Sequence, residues 1–144
     1  MIVCDSSPLI YLSKAGRLGL LRDLYGQVVA SVGVAGEVME EGRPEVAHLQ
    51  QAAREGWLRF QTVQPSPDVE PRGIGTVDAQ ILSLAEERKA PLVTNDRALF
   101  YAAKAGGIKV KWFTLIAEEA VRGAILSADE AERLVTDMIG AGLR

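Results

Sequence analysis

The chain has 144 residues, 48% hydrophobic and 24% charged, with one cysteine and a formal net charge of −3. That length suits one domain with a core that needs no staples; a lone Cys4 excludes an internal disulfide, and no His/Cys cluster has zinc spacing. No apolar run approaches the ~18 residues of a membrane span, no basic flank marks a signal peptide, and the slight acidic balance argues against a dedicated basic nucleic-acid-binding module, so a cytoplasmic globular protein is expected.

A β-branched run at Ile2–Cys4 predicts the first strand, and a broken helical pair follows at Pro8–Ala15 and Arg17–Tyr25, interrupted at Gly16. Gln27–Ala30 reads as the second strand, before helical patterns at Val34–Glu41 and Glu45–Glu55 that Gly42 and Pro44 separate. Trp57–Val63 is the third strand, and the proline-rich stretch Gln64–Gly73 a long loop. Helix Thr76–Lys89, strand Pro91–Thr94, helix Arg97–Ala105 and strand Ile108–Phe113 continue the alternation, with Gly106-Gly107 stopping the second of these helices. Two helices close the chain, Leu115–Arg122 and Ala128–Ile139, the latter opened by capping-box spacing between Ser127 and Glu130. Its stripe of Leu134, Val135, Met138 and Ile139 is expected to dock on the core, with a dimer or partner surface as the alternative.

This β-α-β-α alternation predicts an α/β fold: an open, mostly parallel five-stranded sheet of order 3-2-1-4-5 with helices on both faces. The whole chain, 1–144, is expected to be one domain, with its core at about 2–113 and C-terminal helices at 114–142.

Acids fall where such a fold opens. Asp5 directly follows the first strand and Asp96 the fourth, and those strands are neighbours at the switch point, where ligands bind outside the strands' carboxyl ends. Glu37, placed near the start of the helix after strand two, and Asp78, in the first turn of the helix before strand four, can join them. Carboxylates crowded in one cleft repel each other unless a cation or a shared proton relieves them, and all-oxygen ligation suits Mg²⁺ or Mn²⁺. The constellation points to divalent-metal chemistry on phosphates. Against that stand local roles: Asp96 as the cap of the next helix, Asp78 as a dipole partner, and Glu40 or Glu41 in place of Glu37.

The opening Val3-Cys4-Asp5-Ser6-Ser7-Pro8-Leu9-Ile10, then Val34-x-x-Glu37-Val38, Asp78-Ala79-Gln80-Ile81-Leu82 and Leu92-Val93-Thr94-Asn95-Asp96, resembles the PIN-domain nucleases over about residues 2–113. The opening is most similar to a prokaryotic branch related to the toxins of VapBC-type toxin–antitoxin pairs. The resemblance implies a Mg²⁺- or Mn²⁺-dependent endoribonuclease in which Asp5, Glu37, Asp78 and Asp96 form the acidic metal-binding tetrad, with Ser7 and Thr94 in support. It also implies products with 5′-phosphate and 3′-hydroxyl ends, a homodimer and, for a toxin, an antitoxin partner that blocks the cleft. Asp78 or Glu37 would orient or deprotonate the attacking water. Thr76 departs from the branch, which often carries an acid there.

Other classes fit less well. A non-catalytic PIN-like module that binds metal or RNA has no need of four mutually repelling acids. A phosphoacceptor receiver would want an acceptor Asp after strand three, where Gln64-Pro65-Ser66-Pro67 stands, and a dehalogenase-like phosphatase would want Asp-x-Asp where Asp5-Ser6-Ser7 stands. Arg72, Arg97 and Lys104 are read first as solvated cations and second as RNA contacts, while Lys109 and Lys111 are read as guards of an edge strand. His48 reads as a surface or half-buried histidine, and Trp57, Trp112 and Cys4 as core.

Overall fold

Five short strands, each with β-branched or aromatic residues, alternate with eight helices in a computed structural model that describes residues 1–40, 42–64 and 75–140. The strands are β1 (Ile2–Cys4), β2 (Val28–Ser31), β3 (Leu58–Gln61), β4 (Leu92–Thr94) and β5 (Val110–Trp112). The helices are α1 (Ser6–Lys14), α2 (Gly19–Tyr25), α3 (Val32–Val38), α4 (Val46–Glu55), α5 (Thr76–Arg88), α6 (Arg97–Ala105), α7 (Ile116–Arg122) and α8 (Ala128–Gly140), with a 3-10 turn at Phe113–Leu115 before α7.

All strand pairs are parallel, and the order is β3-β2-β1-β4-β5, as the alternation predicts. Every residue of β1, β2 and β4 is buried. Successive side chains on a strand point to opposite faces, so burial without alternation means that both faces of the sheet centre are covered. The edges differ: β5 is only half-buried, and there Lys111 pairs with Glu119 at 3.2 Å. Lysine on that strand fits its place at the sheet's rim.

Cap chemistry moved several helix starts from their expected places. Asp5 caps α1, so the helix begins at Ser6 and takes Pro8 into its first turn, where a missing N–H does no harm. The Ser31 hydroxyl accepts the N–H of Val34 at 3.2 Å, so α3 starts at Val32. The capping box at α8 forms in both directions, Glu130 N–H to Ser127 Oγ at 3.1 Å and Ser127 N–H to Glu130 Oε1 at 3.2 Å. On α8, Leu134 and Met138 are buried and Val135 half-buried, whereas Ile139 stays 63% exposed. The stripe docks on the body of the protein except at its end. Of the expected long loop only Gln64 belongs to the described residues, and Arg72 and Glu41 lie outside them.

Candidate active site

Parallel strands bring their carboxyl ends to one edge of the sheet, and β1 and β4 lie side by side at its centre. Asp5 stands at the end of β1 with 8% exposure. Its Oδ1 accepts the N–H of Ser6 at 2.7 Å, and its Oδ2 accepts the hydroxyl of Thr94 at 2.9 Å. The same Thr94 oxygen, fully buried, accepts the N–H of Asp96 at 3.0 Å. Asp96 then caps α6 by accepting the N–H of Leu99 at 2.8 Å. One hydroxyl therefore ties the end of β1 to the start of α6, and Asp96 is a cap as well as a rim acid.

Glu37 arrives from the other side. Because α3 begins early and stops at Val38, Glu37 lies in its last turn and not near its start as the sequence suggested. A carboxylate there meets the negative end of the helix dipole, and the hydroxyl of Ser6 donates to its Oε2 in compensation. Glu40, the rival on the same stretch, is exposed and pairs with Arg43 at 2.6 Å, which turns it to another task.

Asp78 sits half-buried in the first turn of α5. Helices α3 and α5 come close because Gly33 has no side chain: a Cβ there would meet Gln80 Oε1 at 2.8 Å and Val77 Cγ2 at 3.1 Å. Burial, then the charges of Asp5, Asp96 and Glu37, push the Asp78 carboxyl up to about 6. Burial likewise raises Asp5; its bonds from Ser6 and Thr94 pull the other way, and the charges of Asp96 and Glu37 add to the rise. The four acids thus stand within electrostatic reach of one another.

Their chemistry fits a hard divalent cation, since every donor is a carboxylate oxygen and their mutual repulsion is what such an ion relieves. Among the described residues, no three of these or any other His, Cys, Asp or Glu side chains converge closely enough to hold an ion as they stand. A cation would have to draw them together.

Two supporting assignments differ in outcome. Thr94 makes the bond to Asp5, whereas Ser7 makes none of those to Asp5 among the described residues, and Ser6 does so in its place. The signal for Ser6 was its position directly after a helix-capping aspartate. Cys4 is buried, and burial holds its thiol well above its ordinary range, which suits an inert core residue. His48 lies exposed on α4. Trp57 and Trp112 are only half-buried, so neither belongs to the core proper. Trp112 instead stacks on Phe100, with ring centroids 3.8 Å apart and planes 6° from parallel.

A family model described as PIN domain matches residues 1–144. Among solved structures, the chain is similar to a PilT N-terminus domain protein from the hyperthermophilic archaeon Sulfolobus solfataricus, with a TM-score of 0.59 and 16% identity over 82% of this chain and 92% of that one. At that identity the likeness bears on the fold alone. No curated protein matches the chain.

Proposed function

The chain belongs to the PIN-domain family, a nuclease fold, and from that premise we propose that it is a Mg²⁺- or Mn²⁺-dependent endoribonuclease whose site is Asp5, Glu37, Asp78 and Asp96. The observation that carries the reading is the gathering of four carboxylates at one end of the sheet, where burial first and the charges of Asp5, Asp96 and Glu37 after it push Asp78 up to about 6. Asp5, Glu37, Asp78 and Asp96 would hold the cation. When bound, such an ion makes water easier to deprotonate and stabilises negative charge on the oxygen leaving phosphorus.

The chain's own groups divide the remaining work. Ser6 and Thr94 fix both oxygens of Asp5, so its carboxylate is oriented before any substrate arrives. Ser6 also holds Glu37, which suits an orienting role. Asp78 has no hydrogen-bond partner among the described residues, and only its neighbours' charges and burial act on it. Its freedom supports Asp78 as the group that takes the proton from the attacking water. The similarity of the Asp5–Ile10 opening to the toxin branch extends the reading to a homodimeric toxin with an antitoxin partner, which light scattering and co-expression with the adjacent reading frame would test.

The deciding assay is cleavage of a short single-stranded RNA bearing a fluorophore and quencher, with Mg²⁺, Mn²⁺ or EDTA, beside Asp5→Asn. Cleavage that requires metal and disappears in the variant is expected. Metal-independent cleavage, or full activity in Asp5→Asn, would refute the assignment. A second reading, a module that binds without cutting, draws on the wide spacing of the acids among the described residues. It predicts Mn²⁺ binding by calorimetry, lost in Asp5→Asn, without cleavage of any RNA supplied.

A further inference from the structure

We propose that Tyr101 is a stacking platform for one base of the single-stranded polynucleotide cut at the acidic cleft, an assignment that rests on the nuclease reading above. Tyr101 is 53% exposed on α6, large for an aromatic side chain that makes ordered ring contacts on several sides. It stands nearly perpendicular to Phe100, at 5.4 Å and 82°, and to Trp112, at 6.5 Å and 79°. Phe100 is buried and itself stacked on Trp112, so the exposed ring has a rigid footing. A surface tyrosine loses side-chain entropy by being held in this way, and only about half of the residue is buried to offset the loss.

The surroundings name the ligand. The guanidinium of Arg97, one turn earlier on the same helix face, lies 5.9 Å from the Tyr101 ring centroid. The Lys104 ammonium lies 5.3 Å from the Phe100 centroid. One cation over the exposed ring and a second over the buried ring beside it are the equipment for one base and its flanking phosphates, on a chain whose net charge of −3 otherwise repels polyanions. The position agrees with the cleft. Arg97 follows the rim acid Asp96 directly, and Tyr101, one turn on, lies about 6 Å further along the helix axis. Trp112 is the register partner of Thr94, the residue whose hydroxyl joins Asp5 to Asp96. A base next to the scissile phosphate would find Tyr101 within reach. Stacking uses the face of a base and not the sugar, so RNA and single-stranded DNA should both engage the ring.

The test separates this assignment from the nuclease reading by measuring binding in the absence of cutting. Asp5→Asn protein is titrated with fluorescein-labelled oligouridylate, oligothymidylate and an RNA duplex, alone and combined with Tyr101→Ala or Tyr101→Phe. Tyr101→Ala is expected to weaken both single strands by roughly five- to 150-fold, the range for losing one base–aromatic stack, and to leave the duplex unaffected. Tyr101→Phe should restore most of the loss. In the cutting-competent protein, the same change should raise KM more than it lowers kcat. Equal binding by Asp5→Asn with and without Tyr101→Ala would overturn the platform and leave the nuclease reading intact. Equal losses on single strands and duplex would also overturn it, since bases in a duplex are not available to stack. Absence of binding to any of the three by Asp5→Asn itself would overturn the platform, while the nuclease reading is decided by metal-dependent cleavage in the unsubstituted protein.

Discussion

Replacing Asp78 with asparagine should stabilise the metal-free protein while removing its activity. The Asp78 carboxyl has an ordinary value of 3.8 and is pushed up to about 6 in the folded chain, by burial first and by Asp5, Asp96 and Glu37 after it. Between those values the folded state holds a proton that the unfolded state has released. Stability from this group is therefore fully present below about pH 4, falls as the pH rises through about 6, and stays at the lower level above. The whole interval corresponds to about 3 kcal/mol. Asp78 is partly solvated, so screening brings the expected effect to about 1–2 kcal/mol. Asparagine keeps the shape and removes the ionisation. In EDTA at about pH 7.5, Asp78→Asn should melt roughly 3–6 °C above the unsubstituted protein. At about pH 4 the two curves should nearly coincide, and saturating Mn²⁺ should narrow the gap at higher pH by stabilising only the protein with the complete acid set. A variant no more stable than its parent at about pH 7.5, or one whose advantage is undiminished at about pH 4, would refute the electrostatic account of the site.

Changes at three other positions probe the supporting framework. Thr94→Val removes the hydroxyl shared by Asp5 and Asp96 without changing side-chain shape; urea titration should show a loss of about 1–3 kcal/mol, with slower RNA cleavage from a loosened Asp5. Asp96→Ala should lose about 1 kcal/mol through the broken cap on Leu99, whereas Asp96→Asn should keep stability within a few tenths, and both should abolish cleavage. Equal stability in the two Asp96 variants would show that the cap is idle. Gly33→Ala pushes on Gln80 and Val77 and so separates α3 from α5; because the Gln80 tip can swing aside, the expected loss is about 1 kcal/mol, with weaker Mn²⁺ binding by calorimetry as Glu37 and Asp78 move apart.

The sheet was legible because its signals are local. Runs such as Ile2–Cys4 and Leu92–Thr94 are apolar without alternation, the mark of a strand covered on both faces, and Gly and Pro punctuate the intervals. Helix starts were less legible because periodicity registers only the buried stripe, while a cap can extend a helix by two residues before the stripe begins. That is what Asp5 did for α1 and Ser31 for α3, and because α3 also stops at Val38, Glu37 falls in the last turn of its helix. Asp5 and Asp96 could be placed from strand ends and Asp78 from the first turn of its helix, but Glu37's place in its helix and the acids' hydrogen-bond support could not. The bond from Ser6 to Glu37 and the bond from Thr94 to Asp5 join side chains 31 and 89 residues apart in sequence, meeting at angles that no local pattern encodes. Trp112 misled for a related reason: an aromatic residue on a predicted strand reads as core, and only the place of β5 at the edge of the sheet leaves it half-open.

The central position of β1 has a consequence for how activity comes and goes. β1 is hydrogen-bonded to β2 on one side and β4 on the other, with a long loop to be closed before the second pairing. Loop closure opposes such pairings until tertiary contacts offset it, so the sheet centre should form late and as a unit. A chain ending before β4 would carry Asp5, Glu37 and Asp78 without the strand pairing that seats Asp5 beside Thr94 and Asp96. Catalysis should thus appear only after the segment through Asp96 has joined the fold, and vanish when that joint opens. On the proposed nuclease reading, the chain would stay silent during its own synthesis, and cleavage would report the intact fold.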